Sequence, residues 1–382
     1  MVSSKIYLSI AHPSGKEKQY ISEAIDSNWI TTAGPQIGRF EKSLESFLET
    51  TKPVVALCSG TAALHLALID LGVETDDEII CSDLTFIASI NPVKYVRAIP
   101  VLVDSEKETW NISPDLLEET IIDRIKKTGK KPKAIISVDL FGMPARLPEI
   151  EQIATNYEIP LIEDAAESLG SYIINNNQKK FCSTFGECGF LSFNGNKIIT
   201  ASTGGALICR DEAQAARFRF LSGQAKDVAP HYQHSQLGYN YNLSNICAAV
   251  GLAQMEVLQK YVERRREIHF KYRSDLSVHP ELEFQNELPQ FFSNYWLTCV
   301  LFPSEKIRDE VKKLLEMNGI ESRPLWKPMH LQPLYKDAPY YGTKIGENLF
   351  NRGLCLPSSS ILHDDEISFI TALINKCLNL NL

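Results

Sequence analysis

The sequence predicts an α/β protein with a mostly parallel seven-stranded sheet, helices on both of its faces and a smaller C-terminal α+β domain. Two observations support this prediction. Between residues 54 and 210, short apolar runs rich in β-branched residues alternate with helical patterns, which is typical of parallel βαβ units. The chain of 382 residues is also longer than a single hydrophobic core usually allows, so two domains are expected.

Seven runs predict the strands of the sheet, in the order VVALC, EIICS, IPVLVD, AIISVDL, PLIEDA, GFLSF and GALICR. Between them, segments such as TAALHLALIDLG and PARLPEIEQIATNYE repeat apolar residues at helical spacing. Right-handed crossovers place such helices on both faces, and ligands then bind at the carboxyl ends of the strands. The functional residues are therefore expected at that edge of the sheet.

The second part of the chain predicts three further helices. An amphipathic stretch from Ser244 to Tyr272 predicts one long helix that links two domains. EKIRDEVKKLLEMNG follows, with Ser304 as its N-cap and Gly319 as its stop, and DDEISFITALINKCLNL closes the chain. We predict a large domain over residues 1–250, which includes an N-terminal arm, and a linking helix with a small domain over residues 251–382.

Composition excludes several classes of protein. A formal net charge of −8 argues against a nucleic-acid groove. The chain has no signal-like amino terminus and no run of about 18 apolar residues, so a cytoplasmic protein without a membrane segment is predicted. Nine cysteines, several of them within apolar runs, predict reduced thiols rather than disulfides. Neither Cys182 with Cys188 nor His231 with His234 has partners at ligand spacing, so no metal is predicted.

Three polar segments follow predicted strands. The first, Ser59-Gly60-Thr61-Ala62, turns directly into a helix, and the amides of Thr61 and Ala62 are candidates to bind a phosphate. An ordinary capped helix is the alternative for this turn.

The second segment ends the strand PLIEDA and carries Glu163, Asp164 and Glu167. A buried carboxylate needs a cation, and a protonated pyridine nitrogen is one. Strand alternation directs Glu163 to the opposite face and leaves Asp164 as the candidate. The alternative is that Asp164 caps the next helix.

The third segment is the turn of GFLSFNGNKIITASTGGAL, which carries Ser192, Asn194 and Lys197. A desolvated lysine amine favours imine formation, although an isolated loop lysine is more often solvated. A phosphate turn, a carboxylate and a lysine, in that order on one sheet, together favour a pyridoxal phosphate site.

These segments resemble the DegT/DnrJ/StrS family of sugar aminotransferases, which have the aspartate aminotransferase fold, fold type I of the pyridoxal 5′-phosphate (PLP) enzymes. SGTAALHLAL, IEDAAESLG, LSFNGNK and GYNYNLSNI occur in the order and at the spacing of the family, and the likeness covers essentially the whole chain. FNGNKIIT, DSNWITTAGPQIGRFE and SRPLWKPMHLQP are most similar to enzymes that aminate carbon 4 of UDP-linked 4-keto-6-deoxy-N-acetylhexosamines.

The resemblance implies a role for each site residue. It makes Lys197 the Schiff-base lysine and Asp164 the partner of the pyridine nitrogen. The other implied cofactor contacts are Thr61, Ala62 and Ser192 at the phosphate, Phe86 stacked on the ring, Glu167 near the 3′-oxygen, and Asn240 reaching the phosphate from a neighbouring subunit. A homodimer with shared sites follows. Asn194, Arg323 and His330 fall at substrate-side positions, although Arg323 could equally be a surface arginine.

Two residues depart from the family pattern. Asn242 stands where many relatives have arginine in GYNYR, which puts a contact with the glutamate carboxylate or the sugar phosphate in doubt. Thr203 replaces a frequent glycine, and a β-branched residue would strain a positive φ there.

The resemblance implies transfer of an amino group from L-glutamate to a nucleotide-linked 4-keto-6-deoxy sugar by a ping-pong cycle. GDP- or dTDP-linked sugars, as in a perosamine synthase, are alternative acceptors. Sugar dehydration is a second alternative, which Lys197 disfavours because those relatives typically have histidine there. A PLP-binding regulatory protein without turnover is a third. A nicotinamide oxidoreductase is disfavoured because no G-x-G-x-x-G follows a predicted strand.

Overall fold

The computed structural model describes residues 5–175 and 177–379. Its helices are α1 (Glu17–Asp26), α2 (Pro35–Phe47), α3 (Gly60–Asp70), α4 (Asn91–Tyr95), α5 (Pro114–Thr128), α6 (Leu147–Tyr157), α7 (Glu212–Ser222), α8 (Asn245–Met255), α9 (Leu258–Asp275), α10 (Glu305–Met317), α11 (Ile345–Arg352) and α12 (Asp364–Asn379). Its strands are β1 (Val54–Leu57), β2 (Glu78–Ser82), β3 (Ile99–Val103), β4 (Ala134–Val138), β5 (Leu161–Asp164), β6 (Tyr172–Asn175), β7 (Gln178–Phe181), β8 (Cys188–Ser192), β9 (Gly205–Ile208), β10 (Glu283–Phe284), β11 (Phe291–Phe292), β12 (Thr298–Leu301), β13 (Arg323–Pro324), β14 (Tyr340–Tyr341) and β15 (Gly353–Leu356).

The large sheet has the strand order β1-β9-β8-β5-β4-β2-β3-β14. Its first seven strands are the seven that the sequence predicts, and they are parallel except for β9, which runs antiparallel to β1 and β8. The eighth strand, β14, was not predicted. It is only two residues long and pairs in parallel with the edge strand β3, so it has no periodicity of its own to detect.

Both faces of the large sheet are buried, as expected when helices cover both sides. Val54 and Ala56 of β1 pack in one core, with apolar residues of α2, α5, α6 and α8. Val55 and Leu57 of the same strand pack in the other core, with residues of α3, α4 and α7. Alternate residues of one strand therefore pack against opposite helix layers. Because helices cover both faces, a ligand can reach the sheet at the carboxyl ends of its strands.

A second, antiparallel sheet has the order β10-β12-β15-β13. Its core joins Ile268 and Tyr272 of α9 to residues of α10 and α12. The predicted caps of α10 are present, since Ser304 Oγ accepts a hydrogen bond from the amide of Ile307 and Gly319 has φ 73°. The domain boundary at residue 250 stays a prediction.

The single helix predicted from Ser244 to Tyr272 is wrong. The structure has α8 and α9, which are interrupted at Val257, where φ is −118° and ψ is 1°. Apolar residues of α8 and the first turns of α9, with Leu258 and Val262, pack in the core of the large sheet, whereas Ile268 and Tyr272 of α9 pack in the core of the second sheet. The helix that links the two cores is thus α9 alone, and no proline or glycine lies at the break before it. None of the helices described combines the length and apolar character that a membrane span requires.

Candidate active site

A cavity of about 340 Å³ opens at the carboxyl ends of β4, β5 and β8 and at the start of α3. It brings together seven of the eleven candidate site residues that the sequence singled out, from four segments of the chain. These are Thr61, Phe86, Asp164, Glu167, Ser192, Asn194 and Lys197.

The amino terminus of α3 forms one end of the cavity. Ser59 is its N-cap, and Ser59 Oγ accepts a hydrogen bond of 3.0 Å from the amide of Ala62. The amides of Gly60 and Thr61 have no hydrogen-bond partner among the residues described, and both residues line the cavity. Of the two predicted amides, that of Thr61 is thus open to an anion, whereas that of Ala62 is occupied by the cap.

This turn lies against the sheet so closely that one neighbour must be glycine. A Cβ on Gly205, at the start of β9, would lie 2.4 Å from the backbone nitrogen of Gly60. Any side chain there would displace the α3 amino terminus. The pair of glycines in the sequence thus allows the close approach of β9 to the turn at the start of α3.

Asp164 is the last residue of β5, and only 4% of its surface is exposed. Burial raises the pKa of its carboxyl group to about 6, while hydrogen bonds from Ser89 and Ala166 and the charge of Lys197 oppose that rise. The Ala166 amide bond to Asp164 Oδ1 closes a turn, and no helix begins in residues 165–171, so the helix-cap alternative is wrong. Glu163 faces the opposite side of the sheet, as predicted, where it accepts hydrogen bonds from the amides of Ser183 and Phe185.

Lys197 follows β8 and extends into the cavity with 12% of its side chain exposed. Its Nζ lies 3.5 Å from Glu167 Oε1 and 4.4 Å from the centroid of the Trp296 ring. Glu167 is held in turn, because its Oε2 accepts a hydrogen bond of 2.7 Å from the amide of Phe141. The lysine is therefore a largely desolvated amine with a carboxylate beside it, not a solvated loop residue.

Phe86 offers an aromatic face to the cavity. Its side chain is 49% exposed, which excludes the alternative that it is a core phenylalanine. The ring lies 5.4 Å from that of Trp326, centroid to centroid. An aromatic ligand could stack on Phe86 across the cavity from the sheet.

Four predicted residues do not line the cavity of the single chain, namely Ala62, whose amide is occupied by the cap, Asn240, Arg323 and His330. Asn240 is exposed in the loop after α7 and forms an isolated β-bridge with Gly223. Arg323 is exposed and forms an ion pair of 2.9 Å with Glu321. His330 lies behind the site, where its Nδ1 is 2.7 Å from Oδ2 of the fully buried Asp83.

The two departures from the family pattern are accommodated locally. The backbone of Thr203 does not have a positive φ, so the expected strain is absent. The positive φ values in this turn belong to its neighbours, 68° at Ser202 and 148° at Gly204. The Thr203 hydroxyl donates to the carbonyl of Cys58. Asn242 Oδ1 accepts a hydrogen bond of 2.7 Å from Ser222, so its side chain serves the packing of the adjoining loop.

Sequence reasoning missed four residues that border the cavity, namely Thr85, Ser89, Trp296 and Trp326. The hydroxyls of Thr85 and Ser89 flank Phe86 in DLTFIAS, so their place beside it could have suggested a role. The two tryptophans come from the segments before β12 and after β13, and no local pattern connects them with Lys197.

A buried group on the other face of the sheet contains Asp139, Glu163 and Cys182, whose ligand atoms lie within 4.8 Å of one another. The carboxylate oxygens of Asp139 already accept hydrogen bonds from the Ala145 amide and the Ser168 hydroxyl. Cys182 and Cys188 are both buried free thiols, as the sequence predicts. This group is a hydrogen-bonded network.

The cavity fits PLP. A buried carboxylate stands where a cationic ring nitrogen would stabilise it, free amides of a helix terminus suit a phosphate, and a lysine amine lies in the same cavity. The carboxylate, the amides and the lysine belong to the three segments in which the sequence predicts a site for this cofactor.

Comparisons with known proteins agree with this fit. The family model "DegT/DnrJ/EryC1/StrS aminotransferase family" matches residues 13–375. EpsN of Bacillus subtilis (strain 168), a protein assigned to the pyridoxal phosphate-dependent aminotransferases, is 46% identical over 366 residues, which cover 95% of this chain and 93% of EpsN. The GDP-perosamine synthase of Escherichia coli O157:H7 is 36% identical over 372 residues, 97% of this chain and 98% of that one.

The fold is similar as well. The crystal structure of a DegT DnrJ EryC1 StrS aminotransferase from Brucella abortus superimposes with a TM-score of 0.88 at 30% identity and covers 95% of both chains. This chain therefore belongs to the DegT/DnrJ/EryC1/StrS family and is a PLP-dependent sugar aminotransferase with the fold of its relatives.

Proposed function

We propose that this enzyme transfers the amino group of L-glutamate to carbon 4 of a nucleotide-linked 4-keto-6-deoxy sugar, with a UDP-linked N-acetylhexosamine derivative as the acceptor. One observation carries the proposal. Lys197, Asp164 and the free amides at the start of α3 border a single cavity of about 340 Å³.

In this proposal each side chain has a definite task. When bound, PLP supplies an electron sink and carries the amino group between the two substrates. Asp164 keeps the ring nitrogen protonated, and the amide of Thr61 and the hydroxyl of Ser192 bind the phosphate. Lys197 Nζ holds the cofactor and, once released, moves a proton as general base and then as general acid.

Four other residues are proposed to contact the cofactor or the acceptor. Phe86 stacks on the ring, and Glu167 lies near the ring oxygen and beside Lys197. Asn194 borders the cavity and contacts the acceptor. Ala62 can contribute to phosphate binding only if its amide leaves the Ser59 hydroxyl.

We also propose a homodimer in which Asn240 reaches the cofactor phosphate of the neighbouring subunit. Asn240 is exposed and outside the cavity of its own chain. The same loop exposes apolar side chains at Val228, Tyr232 and Leu237, which a second copy would cover. The two domains divided near residue 250 and a cytoplasmic location are part of the same proposal.

A GDP-linked acceptor is the second candidate. Three relatives that are 33–36% identical over 96–97% of this chain are GDP-perosamine synthases, whereas the UDP-linked acceptor is supported by the motifs FNGNKIIT and SRPLWKPMHLQP. The cavity of a single chain does not distinguish the two, because the nucleotide would extend beyond it.

A substrate panel tests the proposal. The PLP-loaded enzyme is incubated with L-glutamate and with UDP-, GDP- or dTDP-linked 4-keto-6-deoxy sugars, and 2-oxoglutarate and the amino sugar are measured by mass spectrometry. We expect amination of the UDP-linked N-acetyl sugar. Product with the GDP-linked sugar alone would favour the second candidate, and no glutamate half-reaction at all would favour a regulatory protein.

A further inference from the structure

Trp296 lines the same cavity as Lys197, although it comes from the segment that leads into β12. Only 2% of its surface is exposed. The centroid of its ring lies 4.4 Å from Lys197 Nζ, and Glu167 Oε1 lies 3.5 Å from the same atom. The amine therefore has an aromatic face and a carboxylate as neighbours.

The indole also holds the loop that carries the lysine. Trp296 Nε1 donates a hydrogen bond of 2.8 Å to the carbonyl of Asn196, the residue immediately before Lys197. Ser9 Oγ donates to the same carbonyl at 2.8 Å. Two donors from distant parts of the chain thus fix the peptide from which the lysine side chain extends.

Trp296 is itself fixed at both ends of its backbone. Its amide donates to Asn294 Oδ1 at 2.7 Å, and its carbonyl accepts from Arg265 Nη1. Arg265 is 1% exposed and has no ion-pair partner in the part of the chain that the structure describes. It donates instead to the Ser358 carbonyl at 3.0 Å and to Ser9 Oγ at 3.2 Å.

We propose that Trp296 is a positioning residue for the Lys197 amine. Its N–H group fixes the peptide before the lysine, and its indole face holds the amine beside Glu167 whenever the amine is not bound to the cofactor. This inference rests on the proposed role of Lys197. The face of a tryptophan ring attracts an ammonium group. The flexible side chain of Lys197 therefore stays in one position between holding the cofactor and moving a proton.

A role in packing alone makes a different prediction. Trp296 belongs to a hydrophobic cluster that also contains Trp110, a buried tryptophan outside the cavity. If Trp296 only filled space, its substitution would lower the free energy of unfolding, as we expect for substitution of Trp110, without changing the chemistry of Lys197.

The test compares Trp296→Phe, which keeps an aromatic face and loses the N–H group, with Trp296→Leu, which loses both. Trp110→Phe is the matched control. In the cofactor-free protein, the rate of reductive methylation of Lys197 is followed against pH by peptide mass spectrometry. In the PLP-loaded protein, kcat and KM for L-glutamate are measured.

We expect Trp296→Leu to change the methylation rate and kcat by about 3- to 30-fold, the range of one cation–π contact, with a smaller change in KM. Trp296→Phe should lie between Trp296→Leu and the wild type, and Trp110→Phe should match the wild type. If Trp296→Leu does not fold, Trp296→Phe combined with Ser9→Ala removes both donors to Asn196 and should give a larger change than Trp296→Phe alone.

Methylation rates and pH profiles of Lys197 that stay at the wild-type values in both Trp296 variants would overturn the inference, even if stability falls. A failure of the proposed function has a different signature. In that case the wild-type protein takes up no PLP or does not react with L-glutamate, whereas the methylation of Lys197 in the cofactor-free protein still reports on Trp296.

Discussion

Ser89 Oγ donates a hydrogen bond of 2.6 Å to Asp164 Oδ2, and Thr85 Oγ1 lies 2.7 Å from the same Ser89 hydroxyl. Two hydroxyls from the segment around Phe86 thus lie near the carboxylate that we propose as the partner of the ring nitrogen. The donation favours the ionised carboxylate, while burial raises its pKa to about 6. Ser89 therefore helps Asp164 to stay ionised and correctly oriented.

Ser89→Ala is expected to raise the pKa of Asp164 further and to weaken PLP binding, because the carboxylate loses a donor. A hydrogen bond to a charged group contributes about 1.5–3 kcal/mol, or about 1 to 2 pKa units. The carboxyl signal of Asp164 in ¹³C-labelled cofactor-free protein would measure the change. Ser89→Thr keeps the hydroxyl and should behave like the wild type, and equal titration of all three proteins would contradict the assignment.

Asp164→Asn should affect stability and cofactor binding in opposite directions. Because the folded pKa, about 6, exceeds the ordinary value of 3.8, the stability contribution of the neutral carboxyl is complete below pH 3.8 and is lost as the pH rises through 6. At pH 8 the buried charge thus costs the cofactor-free fold up to about 3 kcal/mol. Asp164→Asn should recover much of this cost at pH 8 and about half as much at pH 5, because the remainder of the loss occurs between about pH 5 and 7, while PLP binds less tightly.

Denaturant unfolding of the cofactor-free protein at the two pH values checks this expectation. Asp26→Asn, at an exposed carboxylate at the end of α1, is the control and should change stability by less than about 0.5 kcal/mol at either pH. A loss of stability in Asp164→Asn at pH 8 would show that the carboxylate is not under strain from burial.

Lys197→Ala should abolish the visible absorbance of lysine-bound PLP and lower transamination by at least about 10²- to 10⁴-fold, the contribution of a general acid–base group. Absorption spectra and a glutamate half-reaction assay measure the two effects. Lys179→Ala, at a surface lysine whose Nζ lies 3.4 Å from Glu49, is the control. Full transamination in Lys197→Ala would exclude it as the catalytic lysine.

Gly205→Ala should weaken phosphate binding, because its Cβ would lie 2.4 Å from the nitrogen of Gly60 and displace the α3 amino terminus. Overpacking of this kind costs about 1–3 kcal/mol of stability. Equilibrium titration should show a greater loss of affinity for PLP than for pyridoxal, which has no phosphate. Gly38→Ala in α2, where a Cβ meets open space, should leave both affinities unchanged.

The seven strands of the sheet could be predicted because each is a short apolar run between turn residues, and local sequence decides such runs. The break between α8 and α9 could not. Residues on either side of Val257 favour helix, and Leu258, Tyr261 and Val262 of α9 pack in the same core as α8, so neither local sequence nor a change of core marks the interruption. The two-residue strand β14 escaped prediction since its pairing with β3 is entirely a long-range contact.

Part of the candidate site could likewise be predicted from the sequence, and part could not. Thr61, Asp164 and Lys197 each follow a predicted strand, and parallel strands bring their carboxyl ends to one edge, so their meeting in one cavity follows from the pattern. The sequence could not predict that the Ala62 amide donates its hydrogen bond to Ser59 Oγ, since the rotamer of the serine side chain decides this contact.

The sequence by itself determined the α/β fold and the three segments of the candidate site, because these depend on local periodicity and on residue types at strand ends, and the resemblance of its motifs indicated the family. Only the tertiary structure decided that Ser89 bonds to Asp164, that Trp296 lies beside Lys197 and that His330 binds Asp83 behind the cavity. Each of these contacts joins segments distant in the chain, and the packing of loops and helices around the sheet, not the local sequence, sets the distance between them.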